Sequence, residues 1–107
     1  MPKTIRHWKG GYLKDVTPTE RIPYDQWIWR LLYIHLYGHL VIKQSESSNP
    51  GKQYIFFETE EPNGHYIRTT YGDITVTTEE LIILTPNSKY IFGLEEAQEL
   101  PVEDETN

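Results

Sequence analysis

Short runs of alternating apolar and polar residues, separated by turn residues, dominate the second half of the chain. In an extended run every second side chain points to the same side, so one face becomes apolar and the other polar. The pattern predicts strands over Leu40–Gln44, Gln53–Glu60, His65–Tyr71, Ile74–Thr77, Leu81–Thr85 and Tyr90–Phe92. Pro62-Asn63-Gly64 between two of these runs is typical of a hairpin turn. We therefore expect a mostly antiparallel β protein.

Two more extended runs, Thr4–Trp8 and Tyr12–Val16, precede these strands. Gly10-Gly11 separates them, and a pair of glycines between extended runs predicts a turn. The start of the chain should therefore be a β-hairpin.

The segment between the two β regions has a different period. Its apolar residues Tyr24, Trp27, Ile28, Leu31 and Ile34 fall on one side of a helix at 100° per residue. Gly38 follows, at a position where helices commonly end in glycine. We predict one helix over about residues 24–37.

The resulting fold class is α+β and mostly β. We expect an antiparallel meander sheet with the helix packed on it, either as a small, partly open barrel of the SH3-like kind or as a flat sheet. A chain of 107 residues has room for one domain. We assign residues 1–94 to it and expect 95–107 to be a largely flexible acidic tail, with one or two helical turns at Leu94–Leu100.

The charge is unevenly distributed along the chain. The net charge is −6, and residues 95–107 contain six acidic residues and no Lys or Arg, so the remainder is neutral. The absence of cysteine excludes disulfides and thiolate metal sites. Together with the lack of a signal peptide pattern or a long apolar run, this predicts a soluble, cytoplasmic protein without membrane contact.

No motif in the sequence places a nucleophile beside a base or forms a phosphate-binding loop. His35 and His39 have the i, i+4 spacing of a helical metal site, but no third ligand is identified. Glu58 and Glu60 share one face of a predicted strand, and Arg68 on the next strand is expected to pair with either of them; such pairs usually stabilise a surface. We expect a protein that is not an enzyme and that has no cofactor and no metal.

Protein binding is the leading functional hypothesis. The predicted helix carries aromatic residues and an arginine on or beside its polar side, and these residue types are enriched at binding hot spots. The candidate contact residues are Trp29, Arg30, Tyr33 and Tyr37. The partner would be another protein or a second copy of the chain, and the module would act as an adaptor or regulator.

A single-stranded nucleic-acid-binding module is the alternative. Cations and aromatic rings alternate near the start of the chain, as in grooves where cations contact phosphates and rings stack on bases. The candidate residues are Arg6, Trp8, Lys9, Tyr12 and Lys14. The neutral body and the acidic tail argue against this hypothesis, because nucleic-acid-binding domains are usually basic.

Overall fold

The computed structural model describes residues 3–18, 32–45, 52–60 and 66–102. Within these ranges the chain forms one eight-stranded, antiparallel sheet. The strands are β1 (Lys3–Pro18), β2 (Tyr37–Gln44), β3 (Gln53–Thr59), β4 (Tyr66–Arg68), β5 (Asp73–Val76), β6 (Glu80–Leu84), β7 (Ser88–Gly93) and β8 (Gln98–Leu100). The prediction of a mostly antiparallel β fold is confirmed.

Strand β1 is the centre of the sheet and replaces the predicted N-terminal hairpin. Its first part pairs with β2 from Lys3 to Tyr12, and its second part pairs with β7 from Tyr12 to Pro18. The register shifts between Lys9 and Gly11, where Gly10 has φ +87°. The two glycines therefore form a bulge that bends one long strand, since glycine reaches positive φ without strain.

The strand order is β4-β3-β2-β1-β7-β6-β5, with β8 paired to the same side of β1 as β7. Two meanders thus flank β1, and β4 and β5 form the outer ends. Residues 69–72 connect these ends directly, and the Gly72 amide donates to the Gln53 carbonyl at 3.0 Å. So short a link requires the sheet to curl, but within the described residues it is not closed into a barrel.

The core lies on the concave face of this sheet. Alternate positions of the strands point inward, as their period of two predicts. The buried cluster comprises Trp8, Leu13, Val16, Leu40, Ile42, Ile55, Phe57, Ile67, Leu81, Ile83, Tyr90, Phe92 and Leu94. Each such aliphatic side chain contributes about 1.5–3 kcal/mol when it is fully removed from water.

The described residues contain no α-helix, and most of the predicted helix (residues 24–31) lies outside them. The predicted helix end at 34–37 is wrong. Ile34 forms a parallel bridge with Leu13, His35 has φ +72°, and Tyr37 already begins β2. Pairing of Tyr37 with Tyr12 on β1 explains why this end is extended rather than helical.

Part of the segment expected in a flexible tail is paired with the sheet, namely β8 at Gln98–Leu100. The amide of Ala97 donates to the Leu94 carbonyl at 3.0 Å in a tight turn, after which β8 pairs with His7–Lys9 of β1. The helical turns predicted at Leu94–Leu100 are therefore replaced by a turn and a strand. Residues 103–107 are outside the described part of the chain. None of the described residues form a helix of the length and apolarity that a membrane crossing requires.

Candidate functional site

The convex face of strands β2, β3 and β4 carries an unusual number of rings. On β3 the core residues alternate with outward-facing ones, and Phe56 and Glu58 point outward between Ile55, Phe57 and Thr59. Directly opposed residues of antiparallel strands share a face. Phe56 stands opposite Arg68 of β4, and Glu58 stands opposite Tyr66.

These four residues form a square, which we call the β3–β4 square (Phe56, Glu58, Tyr66 and Arg68). Phe56 and Tyr66 occupy one diagonal, with ring centroids 5.2 Å apart and planes 24° from parallel. Glu58 and Arg68 occupy the other diagonal, and both are exposed. The Tyr66 side chain is 55% exposed despite its stacking partner. Arg68 also places its guanidinium 4.9 Å from the ring centre of Tyr54.

A second pair of rings lies on β1 and β2. Tyr12 and Tyr37 are directly opposed, with ring centroids 5.2 Å apart, and Tyr37 is 42% exposed. The Tyr12 hydroxyl donates to Glu95 at 2.6 Å, and this hydrogen bond raises the pKa of Tyr12. The negative charge of Glu96 raises the pKa of Tyr37. Both phenols therefore remain protonated donors at neutral pH.

The histidines of the predicted i, i+4 pair are separated by the structure. His35 lies in the turn before β2, whereas His39 on β2 contacts His7 on β1, with His7 Nε2 3.0 Å from His39 Nδ1. Burial, followed by the charges of His39 and Lys43, lowers the pKa of His7, so His7 is neutral at physiological pH. The described residues bring no three His, Asp or Glu side chains together in a metal-binding arrangement.

The predicted nucleic-acid residues all lie on β1, but carboxylates pair with two of their three cationic groups, those of Arg6 and Lys14. Arg6 makes two hydrogen bonds to Glu99, at 2.8 and 2.7 Å, and its guanidinium lies 4.6 Å from the ring centre of Trp8. Trp8 itself is only 4% exposed and belongs to the core. Its ring is therefore not presented for base stacking.

Lys14 has carboxylates on two sides. Its ammonium lies 2.9 Å from Glu80 and 3.2 Å from Glu95, and hydrogen bonds to these two groups raise the pKa of Lys14. The hydrogen bond from Tyr12 lowers the pKa of Glu95, and that from Arg6 lowers the pKa of Glu99. The basic excess near the start of the chain is thus largely neutralised by residues 80–99. Lys9 is exposed on the same strand.

The predicted protein-binding residues are only partly brought together. Trp29 and Arg30 lie outside the described residues. Tyr33 is half-buried against the core, whereas Tyr37 is exposed on the convex face. Sequence reasoning missed Phe56 and Tyr66. The available signal was an aromatic residue at an outward position of each of two strands, β3 with inward Ile55 and Phe57 and β4 with inward Ile67.

Comparisons of the chain with protein-family models, with curated proteins and with solved structures gave no match. The assignment of function therefore rests on the geometry of the chain itself.

Proposed function

We propose that the protein is a non-catalytic protein-binding module, of the adaptor or regulatory type, which acts through the convex face of β2–β4. The supporting observation is the β3–β4 square, in which the exposed Tyr66 stacks on the half-buried Phe56 between two exposed, opposite charges. Tyrosine and arginine are enriched at binding hot spots, and phenylalanine is enriched in interfaces generally. The proposal keeps Trp29, Arg30 and Tyr33 as candidate contact residues and the cytoplasm as the expected compartment.

The partner that fits the square is a second copy of the chain. In a symmetric dimer the same patch meets itself, so it must be complementary to its own image. A two-fold axis along the Phe56–Tyr66 diagonal, in the plane of the interface, exchanges the other two corners. Glu58 of each copy then faces Arg68 of the second copy, while rings meet rings. Such a dimer would combine ring–ring contacts along one diagonal with ion pairs along the other.

The nucleic-acid alternative has less support. Its key ring, Trp8, is buried, and Arg6 and Lys14 are engaged by carboxylates. A polyanion would have to displace these carboxylates before it could bind there.

Charge exchange tests the dimer. We expect wild-type protein to associate with increasing concentration in sedimentation equilibrium. E58K and R68E should each be monomeric, because each leaves like charges facing across the axis. An equimolar mixture of E58K and R68E should recover association, because one chain then presents two cations and the other two anions.

Two remote substitutions provide matched controls. Glu79 is exposed on the β5–β6 turn and Leu84 is 47% exposed on β6, so E79K and L84A should associate like wild type. A wild-type chain that stays monomeric at millimolar concentration would refute the proposal. So would single-charge variants that dimerise normally.

A further inference from the structure

The edge of β1 opposite β2 is occupied by a short acidic segment. β8 pairs with β1 through His7↔Leu100, Trp8↔Glu99 and Lys9↔Gln98. This is the arrangement by which a peptide adds a strand to an open sheet edge, with backbone hydrogen bonds providing much of the affinity.

Two carboxylates of this segment meet two cations of β1. Glu99 receives both hydrogen bonds from the Arg6 guanidinium, and Glu95, four residues earlier, lies 3.2 Å from Lys14. Planar pairing of an arginine with a carboxylate fixes direction as well as position. The β1 edge therefore recognises a carboxylate spacing of four residues.

An apolar contact sets the other end of the segment. Leu94 is 6% exposed and Ala97 is packed on the core; both line a cavity together with Trp8 and Val76. Arg6 and Glu99 close the rim of this cavity. The occupied site thus combines an apolar pocket, a strand edge and two cations.

The attachment of β8 is weak for a strand. It has three residues, Gln98 and Glu99 are exposed, and the ion pairs are at the surface. Surface ion pairs contribute little net stability, and short, exposed elements open well before the whole fold unfolds. Opening of β8 would leave the β8-facing backbone groups of residues 7–9 unpaired and would free Arg6 from Glu99, whereas Lys14 would keep its contact with Glu80.

We propose that the β1 edge is a binding site for extended acidic peptides and that β8 is its displaceable internal occupant. The peptide would carry an apolar residue followed by two carboxylates four residues apart, as in Leu94–Leu100. The site lies on the edge of β1 away from β2–β4, so it does not depend on the proposed dimer.

Fluorescence anisotropy with a labelled peptide of residues 94–102 tests this site on the full chain. The double variant E95Q/E99Q weakens the internal occupant, and we expect it to bind the peptide at least 10-fold more tightly than wild type. Adding R6Q to this variant should reduce binding by at least 10-fold. The matched control is a peptide with Gln at both carboxylate positions. It should bind E95Q/E99Q as weakly as the acidic peptide binds the variant that also contains R6Q.

Three outcomes would overturn the proposal. They are the absence of saturable binding to E95Q/E99Q, equal binding of the uncharged control peptide, and tighter binding of a single-stranded oligonucleotide than of the acidic peptide. The last outcome would assign the edge to nucleic acid instead.

Discussion

At the scale of single residues, the side chain of Thr69 extends the hydrogen bonding between the short strand β4 and its neighbour β3. β4 has only three residues, and the next residue, Thr69, continues its pairing with β3 in another way. Its amide donates to the Ile55 carbonyl at 2.9 Å, and its hydroxyl oxygen accepts from the Ile55 amide at 2.9 Å. The hydroxyl in turn donates to the Thr70 carbonyl at 3.0 Å. Thr69 and Ile55 are both buried, so the hydrogen bonds between them are shielded from water.

Replacing Thr69 with valine should destabilise the protein by about 1–3 kcal/mol, because it leaves the buried Ile55 amide without an acceptor at nearly unchanged volume. Urea unfolding measures this loss. T70V is the control, since Thr70 is exposed and contributes only its backbone carbonyl. Equal midpoints for T69V and T70V would show that the hydroxyl is dispensable.

At the scale of elements, the bend in β1 decides how the two halves of the sheet meet. Gly10 has φ +87°, and a Cβ atom there would lie 3.3 Å from the Glu96 carbonyl oxygen. The bulge at Gly10 thus bends β1 and also lets the turn before β8 lie close to the β1 backbone.

We expect G10A to lower the free energy of unfolding by about 1–2 kcal/mol, because alanine resists positive φ. G10N should cost less, since asparagine tolerates the left-handed region better than alanine does. Thermal or urea unfolding compares the two variants. A ranking with G10A at least as stable as G10N would contradict a conformational role for Gly10.

Strands with a clean two-residue period could be predicted from the sequence, whereas their partners could not. Gln53–Glu60 was predicted and Gln53–Thr59 is observed, because inward Ile55 and Phe57 specify the face directly. Gly10-Gly11 has the same composition as a hairpin turn, and only the pairing of Tyr12 with both Tyr37 and Gly93 identifies it as a bulge. Strand pairing depends on residues that are distant in sequence, so it cannot be inferred from the local pattern.

The candidate site could likewise be predicted only in part. Tyr37, a candidate contact residue from the sequence, is 42% exposed, but it lies on a strand instead of a helix. Glu58 and Arg68 were predicted to share a face. The register shows Arg68 opposite Phe56, so the two charges are diagonal. A register shift of two residues leaves the same side chains on the same face of the sheet. The alternating pattern therefore predicts which face a residue is on, but not which residue stands opposite it.

At the scale of the whole molecule, ionic contacts join segments distant in sequence, and acid should loosen them. Glu95 and Glu99 have lowered pKa values in the folded protein, so their contribution to stability is present above about pH 4.3 and is lost as pH falls. His7 also has a lowered pKa, so the unfolded chain takes up its proton first. Like the two glutamates, His7 therefore lowers stability on acidification, and its effect begins below about pH 6.5.

Stability should therefore fall in two steps on acidification, the first beginning below about pH 6.5 and the second beginning below about pH 4.3. Urea midpoints measured across this range would resolve the steps. H7N should remove the upper step and leave the lower one, because asparagine does not titrate. An upper step that persists in H7N would assign it to another group.

The central place of β1 also has a consequence for biosynthesis. Tyr12 pairs with Gly93, and Pro18 pairs with Ser88, so the strand made first must wait for partners translated about 70 to 80 residues later. At about 5–20 residues per second that interval is roughly 4–16 s. Throughout it, Leu13 and Val16 have no sheet partner from β7, which makes the nascent chain a substrate for holding chaperones and gives the finished fold a high contact order.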